Sequence, residues 1–253
     1  MEAVLDVKNI SKRYQSFTLK NVSFSLTHNH IMGLIGKNGA GKSTTLKALL
    51  NITSPESGNV IMFGKDFYPN EKELKQRIGI VFGGIDFYPL KKLSAITSVT
   101  KRFYQNWDHS QYKKYISRFG LDENKKLKEL SNGMKVKYLL ALALSHHAEL
   151  LILDEPTSGL DPVSREELLN IFRNLVESEN CSILFSTHIT SDLDKCADDI
   201  TYIQNGEVFL SADKAVFLQS FQHLKAPYEK EPLTLEEIMI RTERSYIYDY
   251  TSL

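Results

Sequence analysis

Residues 31–44 read Ile31-Met32-Gly33-Leu34-Ile35-Gly36-Lys37-Asn38-Gly39-Ala40-Gly41-Lys42-Ser43-Thr44, an apolar run that empties into a glycine-rich turn. The turn fits G-x-x-x-x-G-K-[ST], the phosphate-binding loop. Glycines at 36, 39 and 41 let its backbone curl until the N–H groups face one point. The apolar run predicts a buried strand entering the loop, and residues 42–51 predict a helix leaving it. The positive end of that helix falls at the same point. Lys42 then reaches the β- and γ-phosphates of a bound nucleotide, and the Ser43 hydroxyl ligates Mg²⁺. Gly36, Lys37, Asn38, Gly39, Ala40, Gly41, Lys42, Ser43 and Thr44 are therefore the candidate nucleotide site. Strand before and helix after separate this from a chance match.

Outside the loop, composition bounds the answer. The 253 residues hold 31 basic and 31 acidic side chains. The length suits one large α/β domain or two small ones. The charge balance offers no broad footprint for nucleic acid, so none is expected as a partner. Cys181 and Cys196 lie far apart without C-x-x-C spacing and read as reduced core thiols of a cytosolic protein. The start, MEAVLDVKNISKRY, lacks the apolar core of a signal peptide. The apolar runs 139–144 and 150–153 are too short to cross a bilayer. The expectation is a soluble protein whose membrane role, if any, runs through a partner.

Hydrophobic patterning extends the α/β reading in both directions. Residues 4–7 and 19–26 alternate, predicting an antiparallel sheet before the loop. Residues 60–63 and 78–82 predict further strands. Residues 91–148 turn polar and helical, with helices clearest over 112–119 and 134–145. Apolar runs at 150–153 and 182–185 flank a helical pattern over 163–178, a β-α-β unit of a parallel sheet. Asn205-Gly206 between 200–203 and 208–210 predicts a hairpin. Near the end, 234–239 reads as a short helix, and SYIYDY, 245–250, as a poorly ordered tail in preference to a strand.

Two further motifs carry chemistry. Leu150-Leu151-Ile152-Leu153-Asp154-Glu155 is an apolar strand ending in paired acids. Asp154 is placed to hold a Mg²⁺-bound water, and Glu155 to polarise the water that attacks a γ-phosphate. Leu130-Ser131-Asn132-Gly133-Met134 is a Ser/Gly turn that opens an apolar helix. By itself it is a helix cap.

The order of phosphate loop, Ser/Gly turn and Asp-Glu strand resembles the ATP-binding cassette (ABC) ATPases, whose signature loop usually reads LSGGQ. The resemblance covers most of the chain. It implies that Tyr14 stacks on adenine, that Ser131 and Gly133 contact the γ-phosphate held by a second subunit, and that Ser158-Gly159-Leu160-Asp161 is the loop that touches that subunit. It makes His188, in Ser186-Thr187-His188, the switch histidine near the γ-phosphate. The implied catalytic residues are Glu155 and His188, with Ser43 and Asp154 at the metal. The implied cofactors are ATP and Mg²⁺. The implied fold is a parallel-sheet core with an antiparallel β subdomain and a helical subdomain at about 91–148. This gives an ATPase domain over 1–220 and an extension over 221–253. The remaining histidines, among them His28, His30, His146 and His147, match no motif and are expected in turns or at a helix end.

The chain departs from the family pattern twice. Gly83 stands where the family carries a metal-contacting glutamine, so either water or Asp86 is expected to fill that place. The signature turn has Asn132 for glycine and Met134 for glutamine, with Asn132 expected to tolerate a left-handed backbone. The resemblance implies the motor subunit of an ABC transporter. It would pair with a second ATPase subunit, identical or homologous, and drive a separate membrane permease from the inner face of the membrane. Within the family the chain is most similar to bacterial cassettes that export drugs, antibiotics or antimicrobial peptides. The competing reading is a soluble ABC ATPase of ribosome association or assembly. Translation-type members usually carry two cassettes with a charged linker, and DNA-repair members carry long coiled coils or zinc cysteines; this sequence shows none of these.

Overall fold

The computed structural model describes residues 3–82, 88–226 and 228–250, with side chains to residue 244. In chain order the elements are β1 (Ala3–Arg13), β2 (Thr18–Thr27), β3 (Ile31–Ile35), α1 (Lys42–Leu49), β4 (Ser57–Met62), β5 (Lys65–Asp66), α2 (Glu71–Leu74) and β6 (Ile78–Val81). Then follow α3 (Leu93–Thr100), α4 (His109–Arg118), α5 (Asn132–Leu144), β7 (Leu150–Asp154), α6 (Pro162–Glu179), β8 (Ser182–Thr187) and α7 (Thr190–Cys196). The chain ends with β9 (Asp199–Gln204), β10 (Glu207–Asp213), α8 (Lys214–Ser220) and α9 (Leu235–Tyr250). No helix among the described residues is long and apolar enough to cross a membrane.

Two sheets form. One has the order β2-β1-β4-β5 and is antiparallel. The other runs β10-β9-β3-β8-β7-β6, parallel except for the β9–β10 hairpin. Strands β3, β7 and β8 are buried at every residue, which is why they read as continuous apolar runs. Successive side chains leave opposite faces. Met32, Leu34, Ile152 and Leu184 pack with Leu5, Leu26 and Leu46, between the two sheets and α1. Ile31, Ile35, Leu151, Leu153, Ile183 and Phe185 pack on the other face with Leu139, Phe172 and Leu193 of α5, α6 and α7. The α/β class and the parallel core follow directly from the expected strands.

The stretch read as helical holds α3, α4 and α5. Three buried hydroxyls tie it together: Thr97 Oγ1 lies 2.8 Å from the Tyr112 hydroxyl and 2.9 Å from that of Tyr138. Tyr138 donates in turn to the Leu93 carbonyl at 3.0 Å. Cys181 and Cys196 are buried free thiols, and burial pushes both up to about 12.

The C-terminus departs from expectation. Residues 245–250, expected as a poorly ordered tail, continue α9 in helical backbone. Thr234 and Glu237 form a capping box at its start. The Glu237 N–H donates to Thr234 Oγ1 at 3.3 Å, and the Thr234 N–H to the Glu237 carboxylate at 2.8 Å. No glycine or proline follows Pro232 to end the helix. Leu235 and Ile238 are fully buried against the core.

Candidate nucleotide site

The phosphate loop sits at the carboxyl end of β3, where α1 begins. Gly41 is the N-cap of α1, with φ 115°, a region closed to side-chain residues, and no side chain caps the helix. The first N–H groups of α1 are thus left for an outside acceptor, the condition for anion binding. Gly36 is required by crowding: a Cβ there would stand 2.3 Å from the Ile203 carbonyl of β9. Phe17, which the sequence reading passed over, closes the other side, 2.8 Å from where a Cβ on Gly41 would be. It fixes the loop that bears Tyr14, whose N–H donates to the Phe17 carbonyl at 2.7 Å. Tyr14 is partly exposed, with its ring open to solvent.

Lys42 is 6% exposed, and its ammonium is fully engaged. It donates to the Gly36 carbonyl at 2.8 Å and the Lys37 carbonyl at 3.4 Å, and lies 3.4 Å from Glu155 Oε1. The other Glu155 oxygen, Oε2, accepts from His188 Nδ1 at 2.8 Å. A carboxylate oxygen can only accept here, so that bond places a proton on Nδ1. Glu155 has φ 49°, a strained conformation for a side-chain residue, so its backbone is held where the carboxylate is needed.

Asp154 and Ser43 meet across the mouth of the loop, with Ser43 Oγ donating to Asp154 Oδ1 at 2.9 Å. Ser186 organises this pair from β8. Its hydroxyl donates to Asp154 Oδ1 at 2.6 Å and accepts from the Glu155 N–H at 3.0 Å. The parallel register sets Asp154 opposite Ser186, which brings the acid pair and His188 to one place. Sequence reading quoted Ser186 only as a neighbour of His188, and its strand register is the signal that assigns it more. The Ser43 and Asp154 oxygens form the hard donor set that Mg²⁺ prefers, and they already converge, so these residues fit the ion. The loop with its uncapped helix fits a phosphate chain.

Ser131 is the N-cap of α5, its Oγ accepting from the Met134 N–H at 3.2 Å. Asn132 is the first residue of α5 and has no left-handed backbone, so the tolerance expected of it is not used. Gly133 packs on the start of α6, with a Cβ there at 3.6 Å from Ser164. The Asn132 amide lies 3.6 Å from where a Cβ on Gly159 would be, which joins this turn to residues 158–161. Asp161 caps α6 through the N–H groups of Val163 and Ser164, and the Ser164 hydroxyl, together with those N–H groups, holds its carboxyl below the usual range. Arg165 donates to the Leu160 carbonyl at 3.3 Å. Ser131 and Gly133 therefore gather with the 158–161 loop, apart from Lys42, Asp154, Glu155 and His188. Gly83 and Asp86 lie outside the described residues. Among those residues, no group of three or more His, Cys, Asp or Glu side chains stands ready for a metal.

The sequence profile of the ABC transporter family matches residues 19–158. The bacitracin transport ATP-binding protein BcrA of Bacillus licheniformis is 32% identical over 211 residues, 82% of this chain and 69% of that protein. The lantibiotic transport ATP-binding protein SrtF of Streptococcus pyogenes is 34% identical over 216 residues, covering 83% of this chain and 91% of SrtF. Among solved structures, an ATP-binding subunit of an ABC transporter superposes with a TM-score of 0.81 at 24% identity, over 95% of this chain and 99% of that one.

Proposed function

The chain belongs to the ABC transporter family as an ATP-binding, ATP-hydrolysing subunit, and on that premise we propose that it works as half of a motor. Two cassettes, a second copy or a homologue completing the pair, close on ATP and drive a separate membrane permease. The permease exports an antibiotic, a drug or an antimicrobial peptide. Attachment to it holds the chain at the inner face of the membrane. The bacitracin and lantibiotic names of two relatives support the export reading.

The observation that carries the motor reading is the uncapped start of α1 with Lys42, Asp154, Glu155 and His188 gathered at its mouth. Residues 36–44 present backbone N–H groups to the phosphates, and the Tyr14 ring offers a face to adenine. Lys42 exchanges the Gly36 and Lys37 carbonyls for phosphate oxygens. Glu155, released from Lys42 by that exchange, takes the proton of the attacking water, while His188 steadies its second oxygen. Ser43 and Asp154 would hold Mg²⁺, which would supply positive charge against the phosphate chain. Ser131 and Gly133 meet the γ-phosphate of the opposite cassette.

The transport half is tested by purifying the tagged chain from its own cells in detergent. A stoichiometric membrane-spanning protein that changes its ATPase rate is expected. Recovery with ribosomes or with soluble proteins alone would contradict the transporter reading.

A further inference from the structure

The C-terminal helix reaches back to the phosphate loop through one carboxylate. Glu243 of α9 places Oε2 2.9 Å from Lys37 Nζ. Its Oε1 accepts from the Tyr202 hydroxyl at 3.0 Å and from Gln204 Nε2 at 3.1 Å, both on β9. Both carboxylate oxygens are used, and the side chain is only 18% exposed, so its position is fixed. The strand supplying those two donors is itself pressed on the loop. Ile203 lies between them and crowds Gly36, and the Gly206 N–H, just past β9, donates to the Ala40 carbonyl at 2.9 Å. The helix bearing Glu243 is firmly seated: Thr242 is buried, and Arg241 donates to the Leu224 carbonyl at 2.8 Å and to Glu229 at 2.7 Å. On the far side of Lys37, its carbonyl accepts from Lys42. A line of contacts thus runs from α9 through Glu243 and Lys37 to the lysine that faces the phosphates.

We propose that Glu243 is a positioning residue for nucleotide: by holding Lys37 it fixes the first turn of the phosphate loop and so ties ATP affinity to the seating of the C-terminal helix. This rests on residues 36–44 being the nucleotide loop. Pre-ordering a loop reduces the freedom lost on binding. Simple electrostatics runs the other way. Removing a carboxylate frees the Lys37 cation to attract phosphate, and that alone tightens binding. The sign of the effect therefore separates the two.

The test is calorimetric titration of the full chain with ATP and Mg²⁺, together with steady-state ATPase. Glu243→Gln and Lys37→Met each weaken ATP binding about two- to fivefold, the range of an ion pair at a partly exposed site. Turnover by Glu243→Gln at saturating ATP stays within about twofold of the parent, since Glu243 acts on binding before the chemical step. The double variant binds no more weakly than either single one, because both break the same link. Unchanged or tighter binding by Glu243→Gln, or additive weakening in the double variant, overturns the proposal. Lys42→Ala serves as the control. Should it bind ATP like the parent, the nucleotide loop itself is misassigned; should it lose binding while Glu243→Gln does not, only the role of Glu243 fails.

Discussion

Residues 36–44 and residues 131–133 both form glycine-containing turns that open a helix, and they finish their helices differently. The α1 end has no side-chain cap, and around it Lys42, Ser43, Asp154, Glu155 and His188 are already bonded to one another. The α5 end is capped by its own Ser131, which accepts from Met134, and it leans on the 158–161 loop of the same chain. An uncapped helix end leaves backbone N–H groups that need an outside anion. A serine cap that accepts one bond still has its own hydroxyl proton to give. One turn has the makings of a phosphate receptor, then, and the other keeps a hydroxyl proton with no acceptor among the described residues. That asymmetry is what a site shared between two chains requires.

The largest effect expected falls on the finished half. Glu155→Gln keeps the shape and removes the base, so hydrolysis drops by roughly 10²–10⁴ while ATP binding persists. Size-exclusion chromatography of this variant with ATP is expected to show a stable dimer. A monomer, or unchanged turnover, breaks the comparison at its strongest point. Lys42→Ala acts on binding itself. A charge-assisted bond contributes roughly 1.5–3 kcal/mol, so ATP affinity falls about tenfold or more in a titration.

The next test concerns the other end of α5. His146 follows that helix, stacks on Tyr104 at 3.6 Å between ring centroids, and donates from Nδ1 to the Gln76 carbonyl at 3.0 Å. Burial pulls it down to about 4 from an ordinary 6.5. The unfolded chain therefore takes up this proton first as pH falls. The stabilisation is complete above about pH 6.5 and is lost as pH drops toward 4, at most about 3 kcal/mol. His146→Gln keeps a donor for the carbonyl and does not titrate, so its urea midpoint is expected to vary less over that window. An identical pH profile in both proteins would remove His146 from the account. The smallest effect belongs to Ser131→Arg on a single chain, where ATP affinity stays within about twofold because the turn bonds within α5 and packs beside α6 rather than bonding the phosphate loop.

Much of this site was legible because its parts are local. The loop, the strand ending in Asp154 and Glu155, and Ser186-Thr187-His188 each declare themselves within a few residues. The parallel register then assembles them. Ser186 was half visible, since its role needs the pairing of β7 with β8. Glu243 was not legible at all. Its partner Lys37 lies near the other end of the chain, and no spacing rule joins a loop to a helix that folds back on it. SYIYDY, expected as a poorly ordered tail, instead continues the helix that the capping box at Thr234 and Glu237 opens. Asn132 was weighed for a left-handed turn that α5 never makes.

The sharing of the site between chains is tested most directly by mixing two disabled variants. Ser131→Arg keeps a working phosphate loop and spoils the turn, whereas Lys42→Ala keeps the turn and spoils the loop. Each alone is expected to be nearly inactive. Mixed one to one, about half the pairs are mixed, and each of these holds one intact site, so about a quarter of the parental ATPase activity returns. A mixture as inactive as its components would contradict a site completed by a second copy of this chain.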